Sequence, residues 1–343
     1  MSYRIGLDIS GGDHAPGEIF KGAFLAKRES DADIVLIGSR EEIALEAEKE
    51  KINLNDFTVV DAPEKIGMDE QAAMSIRKKK NSSIVVGVNL LKERKIDAFV
   101  SCGNTGAVVS AATLKVGLIE GVERPGIAIL FPTKKGVSLL IDVGANINPK
   151  PLHLLQYGVM ASLYYSLVFD TDSAAVGLLN IGEEETKGPD FMKSVHKLFT
   201  ASSLNFIGNL EAKHIFAGRC ECIVCDGFVG NIVLKVSEGL VEMIGKFLID
   251  AVKKDILGRL GFLLMRNSLK RFKRVVDYAE YGGAPLLGVD GVVIIGHGRS
   301  SSYAVKNAVK VALQELKRDL IGSIKGKLDE ECKQSRVDEI LSA

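Results

Sequence analysis

The chain has 343 residues, with 44 basic and 44 acidic side chains and a formal net charge of zero. Balanced charge argues against generic nucleic-acid binding, which needs a basic footprint. Apolar residues make up 46% of the chain, enough for a sizeable core, while no uncharged apolar run reaches membrane-spanning length and the 5 cysteines, irregularly spaced, do not form a disulfide framework.

Met1-Ser2-Tyr3-Arg4-Ile5 leads straight into a strand pattern without a signal peptide, so a cytoplasmic location is expected. Residues 5–9 read as the first strand. Ser10-Gly11-Gly12-Asp13-His14-Ala15-Pro16 follows: two glycines make a turn, and Pro16 suits the first position of a helix running to about Glu29. Residues 33–37 are a second strand, residues 41–51 a charged surface helix, and residues 57–60 a third strand. Beyond Gly67 comes Arg77-Lys78-Lys79-Lys80, a solvated face or a contact for phosphate or an acidic partner. Ser82 or Ser83 caps a helix over residues 85–91.

Residues 96–100 form an apolar run that reads as a buried strand. Ser101-Cys102-Gly103-Asn104-Thr105-Gly106 is a tight polar turn, and a helical pattern covers residues 107–115. Strand, glycine turn and helix start together can make an anion site, because glycines admit a ligand to the backbone N–H groups and the helix start favours negative charge. A plain capped turn between strand and helix is the alternative.

Strands at residues 127–131 and 137–143 come next. The second ends in Asp142-Val143-Gly144-Ala145-Asn146-Ile147-Asn148, ahead of a helix over residues 152–167. Residues 174–179 are a strand ending in Asn180-Ile181-Gly182-Glu183-Glu184-Glu185-Thr186-Lys187-Gly188, and residues 190–203 are helical. Residues 221–225 are a strand ending in Asp226-Gly227-Phe228-Val229-Gly230-Asn231, where a long helix begins. Residues 291–295 are the last strand, followed by Gly296-His297-Gly298-Arg299-Ser300 and a helix from about Ala304.

This alternation predicts an α/β protein: a three-layer α/β/α sandwich around an open, largely parallel, Rossmann-like sheet. Residues 1–343 are expected to form a single catalytic domain, with residues 231–283 a helical excursion that protrudes as a pair. Ligands of such sheets bind beyond the carboxyl ends of the strands. The loops after residues 9, 100, 143, 179, 225 and 295 are therefore expected to converge on one edge.

No G-x-G-x-x-G follows the first strand, and residues 322–327 are one residue short of a P-loop. Cys220, Cys222 and Cys225, with His214, have metal-like spacing. In a strand, however, Cys220 and Cys222 share one face and Cys225 takes the other, so no metal is expected. His14 and His297 each follow a glycine in a strand-end loop, as phosphate donors or proton carriers against a structural alternative. Lys187 follows three acids that can hold it in place. Residues 253–276 hold eight cations against Asp255, interleaved with apolar residues including Leu257, Leu260, Phe262 and Leu264. Such a basic amphipathic segment suits an anionic membrane surface or a dimer interface.

In this order the loops resemble those of the bacterial phosphate acyltransferase family (acyl-[acyl carrier protein]:phosphate transacylase). The family's Asp-Ala-Met-Gly-Gly-Asp-His-Ala-Pro is matched by residues 8–16, with Ile9-Ser10 replacing Ala-Met. Its Ser-Ala-Gly-Asn-Thr-Gly-Ala is matched by residues 101–107, with Cys102 for Ala. Residues 142–146, 180–188, 225–231, 282–288 and 297–298 fit as well. The resemblance spans residues 4 to 318.

It implies transfer of a long-chain fatty acyl group from acyl carrier protein to inorganic phosphate. The product, acyl-phosphate, would feed a membrane glycerol-3-phosphate acyltransferase in phospholipid synthesis. A homodimer associated peripherally with the membrane is implied too, with no cofactor and no metal. Lys187, Asn231 and His14 are the expected catalytic residues. Gly12, Asp13, Gly103, Asn104, Thr105 and Gly106 are expected to contact phosphate or substrate, as are Asp142, Asn146, Asp226 and His297. Asn231 or Asn104 is expected to donate to the developing oxyanion. A nucleotide-dependent dehydrogenase and a non-catalytic membrane-surface scaffold are the competing readings; the missing dinucleotide fingerprint speaks against the first.

Overall fold

A computed structural model describes residues 2–252, 261–262, 264–267, 281–331 and 340. Strand β1 (Arg4–Asp8) leads into helix α1 (Gly17–Glu29) and β2 (Asp33–Gly38) into α2 (Arg40–Glu50). After β3 (Thr58–Asp61) come α3 (Ala72–Lys78) and α4 (Ser83–Lys92), and after β4 (Ala98–Ser101) comes α5 (Thr105–Ala111). β5 (Gly126–Thr133) and β6 (Gly136–Ile141) precede α6 (Pro151–Phe169), and β7 (Val176–Asn180) precedes α7 (Asp190–Thr200). Then come β8 (Phe206–Glu211), β9 (Cys222–Val224), α8 (Gly227–Val252), β10 (Ala284–Leu287), β11 (Val292–Ile295), α9 (Ser302–Lys317) and α10 (Leu320–Glu331). The strands β8 and β10 and the helices α3 and α10 have no counterpart in the sequence reading.

The described strands form one eleven-stranded sheet in the order β3-β2-β1-β4-β11-β10-β5-β6-β9-β7-β8. The pairings are mostly parallel, as expected. β10 is antiparallel to both β11 and β5, and β5 is antiparallel to β6. Two parallel blocks therefore run in opposite directions: β3-β2-β1-β4-β11 and β6-β9-β7-β8. In place of one shared edge, the expected loops come from two sets of carboxyl ends that point toward each other and meet across β10 and β5. Carboxyl ends of β1, β4 and β11 face one way, and those of β6, β7 and β9 face the other. The cause is local. Thr133 pairs with Gly136 across the two residues Lys134 and Lys135, and so short a link joins only antiparallel strands.

Side chains alternate between the two faces of the sheet. On β11, Val292 and Ile294 pack with Ile19, Phe20 and Val305 from α1 and α9. Val293 and Ile295 join Ile84, Val88, Ala107 and Val108 from α4 and α5. The first of these faces continues over the second block under α6, α7 and α10, where Tyr157, Val195, Phe199 and Ile324 are buried. Helices thus lie on both faces, because strands buried on both sides need cover on both. The other face is covered differently over the second block, with only Val233 and Leu234 of α8 packed against it from that helix. A groove results between α5 and α8.

Helix α8 leaves the body with much of its apolar surface exposed. Ile232, Val236, Leu240, Met243 and Phe247 repeat at three- and four-residue steps, all solvent-facing. Residues 261–262 and 264–267 are also helical, with Leu264 79% exposed. Leu257 and Leu260 lie outside the described residues. No described helix is long and apolar enough to cross a membrane.

Candidate active site

Three loops of the first block are latched together by side-chain and backbone hydrogen bonds. Asp8, fully buried at the end of β1, accepts from Ser10 N–H (3.1 Å) and Ser101 Oγ–H (2.7 Å). Burial pushes its pKa up, and the serine hydroxyls oppose that. Ser101 Oγ in turn accepts from Gly103 N–H at 3.1 Å. The Asp13 N–H donates to Gly298 O at 2.7 Å, which ties in the loop after β11. Gly12 sits at φ +106°, and a Cβ there would lie 2.9 Å from Gly298 O. Only glycine fits such a turn at low cost.

Asn104 caps α5 through Oδ1, which accepts from Ala107 N–H at 3.0 Å. Its Nδ2 protons are shared among the carbonyls of Gly67, Met68 and Glu70, at 3.0–3.1 Å. Both ends of this amide are therefore committed to structure, which corrects the expectation that it donates to an oxyanion. Glu70 holds the same loop through Lys79, Gly67 N–H and Ser75, and these donors pull its carboxyl down to about 2. One of the four cations at 77–80 is thereby accounted for.

In the second block Asp142 is fully buried beyond β6. Its Oδ1 accepts from the N–H groups of Ile127, Gly144 and Ala145 (3.0, 3.0 and 2.9 Å), and its Oδ2 from Asn146 N–H (2.7 Å). Burial raises its pKa while these four donors oppose the rise. Asn146 Nδ2 donates to Pro125 O and Tyr157 Oη, both at 2.6 Å. Its carbonyl accepts from Gly227 N–H at 2.8 Å. Asp226 caps α8, accepting from Phe228 and Val229 N–H. A Cβ on Gly230 would run into the Asp142 carbonyl, so α8 starts hard against this loop. The side chains of Asp142, Asn146 and Asp226, expected to touch substrate, thus serve the backbone. Together they seat the start of α8, which carries Asn231.

Between the blocks lies a cavity of about 160 Å³. Its apolar wall includes Ile127, Ile129, Val143, Leu234 and Ile295; its polar wall includes Thr105, Asn231, Lys235, Glu238, Tyr281, His297 and Ser300. Thr105, Asn231 and His297 are brought together here from three loops far apart in sequence. Lys235 Nζ is 2.9 Å from Glu238 Oε2, and Glu238 Oε1 is 3.9 Å from His297 Nε2. His297 Nδ1 accepts from Arg299 N–H at 3.0 Å. Burial pulls its pKa below the usual imidazole value, against the pull of Glu238.

His14 and Lys187 do not line this cavity. His14 is exposed at the mouth of the first block, and Lys187 is exposed on the loop after β7, where its N–H donates to Glu184 O. Lys235 and Glu238 were missed from sequence, although they stand four and seven residues beyond Asn231 on one helical face. Cys220 and Cys225 pack on one face of the sheet and Cys222 on the other. That differs from the expected pairing because β9 begins only at Cys222. Burial pushes the Cys102 and Cys220 thiols up to about 12 and raises those of Cys222 and Cys225, so none is a ready nucleophile.

An amide donor, a cation and an imidazole donor beside an apolar wall can hold an anion against a polarised carbonyl. Comparison with known proteins gives the family. A family model described as "Fatty acid synthesis protein" matches residues 3–322. The phosphate acyltransferase of Pelotomaculum thermopropionicum is 44% identical over 327 residues, covering 95% of each chain. That of Heliobacterium modesticaldum is 46% identical over 334 residues, covering 96% of this chain and all of that one. A phosphotransacetylase from Streptococcus pyogenes shares the fold at TM-score 0.63 and 18% identity, over 92% of this chain and 94% of that one. On this similarity the chain belongs to the fatty acid synthesis protein family and, within it, to the phosphate acyltransferases.

Proposed function

We propose that the protein moves a long-chain fatty acyl group from the thioester of acyl carrier protein to inorganic phosphate, yielding acyl-phosphate for phospholipid synthesis. The observation that carries this is the cavity itself, in which Asn231, Lys235 and His297 meet an apolar wall. Phosphate is already anionic at neutral pH and needs placement more than activation. A phosphate oxygen bonds to the acyl carbon, the C–S bond breaks, and the proton of hydrogen phosphate ends on the departing sulfur. Asn231 donates to the oxyanion as it forms. Phosphate lies toward Thr105 and Gly106, and His14 and Lys187, which stand outside the cavity lining, are given no part in this step.

Ligand clefts commonly run to roughly 300–1,000 Å³. A cavity of about 160 Å³ takes the reacting end of the substrate and leaves most of a long chain outside. The test is ³¹P NMR of the protein with acyl carrier protein thioester and phosphate. An acyl-phosphate resonance growing with enzyme concentration supports the reading; free fatty acid as the sole acyl product rules it out.

The product is consumed by a membrane glycerol-3-phosphate acyltransferase, so peripheral attachment to an anionic membrane is part of the same proposal, as is a homodimer built on the exposed apolar face of α8. Replacing Phe262 and Leu264 with Glu is expected to release the protein from anionic vesicles in co-sedimentation. Unchanged binding would take the membrane role away from this segment.

A further inference from the structure

We propose that Lys235 is the cation that binds the phosphate dianion in the cavity, and that its ion pair with Glu238 is the resting partner the phosphate displaces. This rests on the acyltransferase reading above and extends it. A dianion beside an apolar wall must meet a positive charge, because burying it unpaired is prohibitive. Among the described residues that line the cavity, Lys235 is the only lysine or arginine. Lys187 stands outside that lining.

The helix fixes the geometry. Asn231 and Lys235 are four residues apart on α8, so their side chains stand next to each other on one face. One serves the carbonyl and the other the attacking phosphate, which is how two reacting groups are held adjacent. Glu238 lies one further turn along, only 18% exposed in its side chain, while Lys235 is 53% exposed. In the resting site the pair is 2.9 Å apart and neutralises itself. Entry of a dianion draws the ammonium off the carboxylate, since phosphate brings two negative charges against one.

His297 has a matching part. Its Nδ1 accepts from Arg299 N–H, so the ring proton of the neutral form sits on Nε2 and points at Glu238. Glu238 and Lys235 from α8, Arg299 from its own loop and Asp13 from the loop after β1 are the charged groups that act on it. With Nδ1 occupied as an acceptor, the Nε2 proton on the Glu238 side is what the neutral ring can offer an anion that displaces that carboxylate.

The experiment is steady-state kinetics on the full-length protein, varying phosphate and carrier thioester separately, for wild type, Lys235→Gln, Lys235→Arg and Glu238→Gln. Lys235→Gln is expected to raise the KM for phosphate roughly 10- to 100-fold, the span of a charge-assisted hydrogen bond, with the KM for thioester unchanged. Lys235→Arg should recover most of it. Glu238→Gln should leave the phosphate KM equal or lower, because it removes the competing carboxylate. An unchanged phosphate KM in Lys235→Gln overturns the assignment. So does a rise in Glu238→Gln as large as that in Lys235→Gln, since the pair would then be structural. If Lys235→Gln does not fold, the Arg and Glu238 variants decide alone. Failure of wild type to make acyl-phosphate would instead remove the underlying reading.

Discussion

Replacing Asn231 with Ala is expected to lower kcat by about 10²–10³-fold, the usual cost of removing one oxyanion donor. The KM for thioester should stay near its wild-type value, because the amide acts on charge that develops only in the transition state. Stability should hold within about 0.5 kcal/mol. The side chain is exposed at the start of α8, so its loss orphans no buried partner. Asn231→Asp is the sharper control. It keeps the size but places an acceptor where a donor is needed, and it should be at least as slow as the alanine variant. Steady-state kinetics with a melting curve for each variant separates these effects. A kcat within threefold of wild type would take the oxyanion role away from this residue.

Asp142→Ala is expected to be the most damaging of the structural changes. One carboxylate collects four backbone N–H groups from β5 and the loop after β6. Removing it leaves those donors to find water or go unpaired, at about 1–3 kcal/mol for each that stays buried. The loop is partly exposed and will relax, so a net loss of about 3 kcal/mol is expected, or roughly 5–10 °C in melting temperature. Activity should fall with it, since the same loop seats Gly227 and Gly230 and through them Asn231. Asp142→Asn should be milder. One oxygen keeps three of the four bonds, but the new NH₂ faces the Asn146 N–H. A melting temperature within 2 °C of wild type for Asp142→Ala would show that the loop holds without its anchor.

Much of this architecture was legible in the residues, and the gaps have physical causes. The glycine turns after β1, β4, β9 and β11 stood out because each ends a short apolar run. β10 did not, being four residues long and containing Pro285. β8 carries Gly208 and Asn209, which break the alternation that marks a strand. The opposed direction of the two blocks was available in principle from the tight Lys134-Lys135 link, yet a parallel sheet was the stronger prior for alternating strands and helices. At the site, Thr105, Asn231 and His297 were found because they close strand-end loops. Lys235 and Glu238 were missed because they lie inside a helix, where only their spacing from Asn231 marks them. Asn104 shows the opposite error: a polar residue in a glycine turn looks like a ligand donor until its amide is traced to Ala107 and to the carbonyls of the 67–70 loop.

The central claim is that the cavity between the two blocks holds an oxyanion against a thioester carbonyl. Thiol release from acyl carrier protein thioester, followed with a thiol reagent while phosphate is titrated from zero, tests it most directly. Release that is negligible without phosphate, saturates as phosphate rises and matches acyl-phosphate one for one is the predicted result. Release at the same rate with and without phosphate would mean that water is the acceptor, and would contradict the account.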